Sequence, residues 1–298
     1  DPPSSPISLF LQNVRQWEVN NVRWERVDLL HETEPSSVVP VLMALPSDQR
    51  EGDRRPVVIV LHGTADSKDG VPTPIIERYA REFGWVGVAI DMRYHGERRE
   101  STEGPGTRGL DDYFAALIRS FRSRRDQSQD REYPFIYDMA WDISRLLDYF
   151  ETRDDIIDSA HIASTGISLG GMVSWFAAAA DPRITVVAPA IGVQSFRYAL
   201  DKECFHARVN TLKPLFDVAV ADGGLEEPTS ELVAQVWDAV VPGIYGDFDA
   251  PQSLALIAPR PLLIVNGEED PRCPAEGVRA AVVTSKALVY NEYPEWEI

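Results

Sequence analysis

The stretch "HIASTGISLGGMVSWFAAAA" (161–180) decides how this chain is read. HIASTG (161–166) reads as a short strand, and GGMVSWFAAAA (170–180) as a tightly packing helix. Between them lies Gly166-Ile167-Ser168-Leu169-Gly170, a G-x-S-x-G pattern. That pattern puts its serine on a sharp strand-to-helix turn. Glycines two residues to either side let strand and helix approach without Cβ clashes. Gly171 adds another small residue for close packing. A helix starting just after Ser168 points its first amides at any oxyanion formed there, and Leu169 supplies one such N–H.

Working outward, "VVIVLHG" (57–63) is a continuous β-branched run, the mark of a strand buried on both faces of a parallel sheet. "WVGVAID" (85–91), "ITVVAPA" (184–190) and "RPLLIVNGEED" (260–270) read as further strands, and "KALVYNEY" (286–293) as the last one. Helices are expected around 73–83, at 110–122, and in "DMAWDISRLLDYFE" (138–151), where Met139, Ile143, Leu146, Leu147 and Phe150 share a face. Residues 17–31 and 38–45 read as extended, 47–56 as a polar hairpin-like loop and 92–109 as loop. Strands alternating with helices predict an α/β fold in one domain over 1–298: a mostly parallel, doubly wound sheet with an antiparallel edge. The interval 191–259 is too long for a simple crossover and is helical in pattern. It reads as a helical cap inserted over the sheet's C-terminal edge, where ligands bind in such folds.

Composition narrows the function. Forty-seven acids against 29 bases give a net charge of -18, which argues against a nucleic-acid partner, since phosphate binding rests on Lys and Arg. The basic run "RSFRSRRDQ" (119–127) reads as a solvated helix end and loop. Hydrophobic residues make up 44% of the chain, enough for a substantial core. Cys204 and Cys273 form neither a disulfide framework nor a metal-ligand set, and no apolar run is long enough to span a membrane. The opening "DPPSSPISLF", without a methionine, reads as a processed or trimmed start from which any targeting segment has gone.

A serine hydroxyl is a weak nucleophile until a base takes its proton. The second oxyanion donor is expected in "LHGTAD" (61–66), where Gly63 lets the loop bend and Thr64 is the N–H donor; His62 is expected to orient that loop. Chain order then calls for an acid after Ser168 and a histidine after the acid. Asp270, in "NGEEDPRCP" (266–274), is the favoured acid, with Glu268 and Glu269 as close rivals.

Ser168 in GISLGG, His62-Gly63 after a buried strand, and Asp270 in NGEEDPRCP together resemble the α/β-hydrolase superfamily. The likeness is closest to its prolyl-oligopeptidase-like, dienelactone-hydrolase and acetyl-xylan-esterase branch. The longer segments "PFIYDMAWDISRLLDYFETRDDI", "ISLGGMVSWFAAAADPR", "IGVQSFRYALDKECFHARVNTLKPLF" and "APRPLLIVNGEEDPRCP" are similar to a group of uncharacterised plant and algal α/β-hydrolases. The resemblance runs from about residue 56 to 275 and implies a serine hydrolase with a Ser-Asp-His triad, a small-molecule acyl substrate and no cofactor or metal.

The chain departs from the pattern in its histidines. His31 lies in the N-terminal edge region, and His161 begins the strand that Ser168 follows. His95, in "MRYHGER", follows the strand ending at Asp91, and His206 sits in the cap. None follows Asp270. The branch pattern that resembles "VYPEYGHE" corresponds here to "VYNEYPEWEI" (289–298), putting Glu295 or Trp296 at the histidine's place. Neither side chain replaces an imidazole. The expectation is that the catalytic histidine is absent from this chain or lies beyond Ile298, and that a C-terminal helix is missing. One face of the last strands would then be apolar and open, for a protein partner or a second copy to cover. Two functions follow: a serine esterase, or a catalytically inactive homologue serving as a structural or ligand-binding subunit.

Overall fold

The computed structural model describes residues 10–30, 38–50, 52–99, 110–125 and 132–298. Its chain begins with three strands, β1 (Phe10–Val19), β2 (Val22–Leu30) and β3 (Val38–Pro46), then β4 (Arg55–Leu61), α1 (Pro72–Arg78) and β5 (Val86–Ile90). There follow α2 (Asp111–Arg125), α3 (Tyr137–Glu151), β6 (Ile157–Ile167), α4 (Leu169–Ala180) and β7 (Val186–Ala190). The remainder is helical: α5 (Phe196–Asp201), α6 (His206–Thr211), α7 (Lys213–Gly223), α8 (Ser230–Val240), α9 (Ala250–Ala255) and α10 (Ala275–Val289).

The sheet order is β1-β2-β3-β5-β4-β6-β7. β1, β2 and β3 pair antiparallel with their neighbours, and β5, β4, β6 and β7 run parallel. This is the expected mostly parallel α/β sheet with an antiparallel edge. The β-branched runs fill both its faces at the centre. Val57, Ile59 and Leu61 face one core with α3 and α4, while Val58 and Val60 face a second with Ile76 and Ala80 of the α1 region. The polar loop 47–56 is not a hairpin connection, because β5 lies between β3 and β4. β5 pairs with both of them, antiparallel with β3 and parallel with β4.

The helical stretch between β7 and residues 262–265 closes on itself. Asp249 accepts the backbone N–H groups of Phe196 (2.8 Å), Arg197 (3.0 Å) and Ala250 (2.8 Å), and the Ser195 hydroxyl (2.9 Å), so its two ends meet. Phe135, Phe196 and Phe216 pack around Trp237 at ring separations of 5.4, 5.2 and 5.8 Å. Phe196, Phe205, Phe216 and Trp237 are buried as packing residues of this helical stretch, with Phe135 against them from the segment before α3. Tyr198 is half-buried and donates its hydroxyl to Glu276.

Two expectations about the C-terminal part change. Residues 262–265 reach β7 only through the bridges Val187–Leu262 and Ala190–Val265, a short parallel continuation of the sheet. The stretch 286–293 is not a strand: its first half completes α10 and its second half is turn. Gly277, Val278, Ala281 and Ser285 bury one helical face against α9, and the Ser285 hydroxyl donates to Pro251 O at 2.8 Å. That packing overrides the β-propensity of the Val-Tyr pair. Trp296 is buried with its indole N–H on Arg260 O (2.8 Å). On the sheet face away from α4, Ile167, Val186, Leu263 and Val265 are exposed.

Candidate active site

Ser168 stands at φ 56°, ψ −112°, between β6 and α4. An L-residue there stores about 1–3 kcal/mol of backbone strain, so its surroundings must over-determine it. They do. Its N–H donates to Ala190 O (2.9 Å), its carbonyl accepts from Met172 (2.9 Å), and the glycines around it are packed to backbone contact. A Cβ on Gly166 would sit 2.5 Å from Gly170 C. One on Gly170 would sit 2.3 Å from Leu61 O and 2.6 Å from His62 O, and one on Gly171 2.6 Å from Ala190 O. Backbone cannot yield as a flexible side chain can. Gly170→Ala is therefore expected to lower unfolding free energy by about 3 kcal/mol, the upper range of overpacking. Urea denaturation checks this, and a loss below about 1 kcal/mol would mean the elbow is looser than its contacts.

The elbow's neighbour is the loop after β4. A Cβ on Gly63 would lie 3.8 Å from Ser168 Cβ, so the loop passes directly beside the serine, with Thr64 next in line. Leu169 is the first residue of α4, and no described hydrogen bond uses its N–H or that of Thr64. His62 bolts this loop down. It is fully buried, its Nδ1 donates to Gly63 O (2.8 Å), and its Nε2 accepts the Met92 N–H (3.1 Å). Both ring nitrogens are committed, and burial pushes its pKa down.

Two residues the sequence reading did not single out complete the support. Lys68, fully buried, places its Nζ 3.1 Å from Asp91 Oδ2, 2.7 Å from Glu97 and 2.7 Å from Asp69. Asp91, equally buried, also accepts the backbone N–H groups of Lys68 (2.8 Å) and Glu97 (3.0 Å). The loop carrying Thr64 is thus tied to the loop after β5. No local pattern announces this pair, whose members lie far apart in sequence.

Asp270 lies in the turn after residues 262–265. Its Oδ1 accepts the N–H groups of Arg272 (2.8 Å) and Cys273 (3.2 Å), while Asn266 braces the turn through Cys273 O (2.8 Å). Of the rival acids, Glu268 pairs with Arg279 at 2.6 Å on the surface and Glu269 is exposed. Asp270 is the acid held by a built turn.

The histidines are not gathered around Ser168. His31 lies outside the described residues. His161 is exposed near the start of β6, with Nδ1 2.6 Å from Asp158. His206 opens α6 and is exposed, lining an open cleft of about 540 Å³ with Asp270, Glu268 and Glu269. His95 is buried, donates Nδ1 to Arg93 O (2.8 Å), and packs 5.2 Å from His62 and 4.8 Å from Tyr113. None of the four described histidines hydrogen-bonds Ser168 or Asp270.

Burial, then the neighbouring His62, lowers the His95 pKa to about 4. The unfolded chain, with an ordinary imidazole, binds that proton more readily, so stability is lost as pH falls from about 6.5 to about 4. The expected loss from His95 alone is about 3 kcal/mol. Unfolding measured across that window should flatten in His95→Asn; an unchanged slope would assign the acid sensitivity elsewhere.

Among the described residues no group of three or more His, Cys, Asp or Glu is placed to hold a metal ion, and no helix is long and apolar enough to cross a membrane. The family model described as "Glucuronyl esterase, fungi" matches residues 128–293, more than half of the chain and including the elbow and the Asp270 turn. The chain belongs to that family. It is an esterase-family member within the α/β-hydrolase superfamily, as its sequence motifs implied. It is 25% identical over 287 residues to the Bacillus subtilis (strain 168) protein "Putative hydrolase YtaP", covering 93% of this chain and 79% of that one. In structure it is similar to acetyl xylan esterase from Paenibacillus sp. R4, with a TM-score of 0.59 at 18% identity, over 94% of this chain and 79% of that one. It is equally similar to glucuronoyl esterase from Solibacter usitatus, with a TM-score of 0.59 at 18% identity, over 97% and 75%. These two likenesses carry the fold: a mostly parallel sheet flanked by helices.

Proposed function

We propose that this family member is a serine esterase acting on a small-molecule carboxylic ester, with Ser168 as nucleophile. The observation that carries the reading is the strained Ser168 backbone, held by three glycines and set beside Gly63. Plain packing has no use for such strain; a nucleophile that must project from a strand–helix junction does. Ser168 Oγ attacks the ester carbonyl as the base takes its proton, and the N–H groups of Thr64 and Leu169 hold the resulting oxyanion. The base returns the proton to the departing alcohol, and water then releases the acid from the acyl-serine. Asp270 orients the base, which in this reading is a histidine lying beyond Ile298. The insertion 191–259 acts as the cap that shapes the entrance, and the names of the matching esterases favour esters of sugars as substrates.

A second reading is favoured by the histidine placements: a non-catalytic homologue that binds a ligand or a protein partner along the open sheet face. Covalent capture by a fluorophosphonate separates the two. The natural full-length protein is expected to label at Ser168 and to hydrolyse at least one of p-nitrophenyl acetate, a methyl glucuronate ester or acetylated xylan. Absence of labelling in both the full-length protein and residues 1–298 would decide for the non-catalytic reading.

A further inference from the structure

Arg208, on α6 of the insertion, is only 5% exposed. Its Nε donates to Gln194 Oε1 at 2.9 Å, and its Nη2 approaches Cys273 Sγ at 3.1 Å and Arg272 O at 3.5 Å. The grip is returned from the other side, where Arg272 Nε donates to Thr211 Oγ1 of the same helix at 2.9 Å. Cys273, also buried, donates its thiol to Ile191 O at 3.3 Å just past β7. One guanidinium thus joins the insertion, the segment after β7 and the turn of Asp270.

Its charge is unusual. Among the described residues no carboxylate lies within ion-pair distance of Arg208, although the chain carries a net charge of -18. Burying a cation without a carboxylate partner is costly, and an anchor needed only for packing is served by an apolar side chain. The charge of Asp270 is one of the few that offset this burial. Geometry links the two more closely. Arg272 O and the Cys273 N–H belong to one peptide unit: Arg208 faces its carbonyl end, and Asp270 Oδ1 accepts from its amide end. A cation at the carbonyl polarises the unit and strengthens the N–H it presents to the carboxylate.

We propose that Arg208 is a positioning residue for Asp270, so that the inserted helices help to build the acid's turn as well as the entrance. The proposal rests on the reading of Asp270 as the catalytic acid. In the full-length protein, Arg208→Ala is expected to lower kcat for a model ester about 100-fold with KM within about twofold, as for a misplaced catalytic group. Millimolar guanidinium chloride should restore much of that loss, while sodium chloride at equal ionic strength should not. Arg208→Lys keeps the charge without the fork and should fall between the two, and it carries the same measurements should the alanine variant not fold. Hydrogen exchange supplies a readout independent of turnover. The Cys273 amide should exchange about tenfold faster in Arg208→Ala while the β4 core amides keep their protection.

Unchanged kcat in a folded variant, restoration by sodium chloride, or a uniform rise in exchange over the whole chain would overturn the proposal. If wild-type protein never labels at Ser168 but the Cys273 amide responds as expected, the hold on the turn stands and the esterase reading falls.

Discussion

Ser168→Ala is expected to reduce kcat/KM for a model ester in the full-length protein by about 10⁴-fold or more, and to abolish fluorophosphonate capture. On the proposed mechanism, the residual rate over water would come from the oxyanion donors and substrate binding alone. The same change should leave stability within about 0.5 kcal/mol of wild type. Ser168 is half-buried, its hydroxyl has no described partner, and an alanine meets the same φ penalty that serine already meets. Intact mass after labelling, beside a thermal melt, separates a lost nucleophile from a lost fold. Label retained on the alanine variant would move the nucleophile elsewhere.

Lys68→Met has the largest expected effect on stability. It removes a fully buried cation from three carboxylates, of which Asp69 and Glu97 reach solvent and Asp91 is fully buried, and leaves Asp91 with two backbone N–H groups as its described remaining donors. Breaking such a pair by taking away one partner costs about 3–5 kcal/mol, because the surviving charge stays buried. Urea denaturation should show a shifted midpoint with an unchanged slope. Adding Asp91→Asn should recover part of the loss, since an amide oxygen still accepts one of the two N–H groups without the buried charge. A single-variant loss below about 1 kcal/mol would show that the loop carrying Thr64 does not depend on this pair.

The parts of the candidate site legible in the sequence are those fixed by short-range sterics. A Cβ on Gly166 would meet the backbone of Gly170 only four residues on, a clash built into the strand–turn–helix itself, whereas Gly170 and Gly171 are crowded by Leu61 O and Ala190 O, which only the assembled sheet brings up. The central strands were legible because β-branched residues in an unbroken run suit a sheet covered on both faces. The segment 286–293 misled because Val289 and Tyr290 favour extended structure in isolation. The buried stripe Val278, Ala281 and Ser285 had already committed the chain to a helix against α9. The loop 47–56 misled for a similar reason: a turn-like composition says that the chain reverses, not which strand it then pairs with.

The sequence by itself determined the α/β class, the strand–serine–helix junction and the order Ser168 before Asp270, since each follows from spacing along one continuous stretch. Only the tertiary structure decided which charges hold the site. Lys68 meets Asp91 because β4 and β5 are paired, and Arg208 meets Cys273 because α6 packs against the turn of Asp270. Such pairs arise from burial: a charge removed from water must find its partner wherever the fold has placed one, at a separation along the chain that no local pattern encodes.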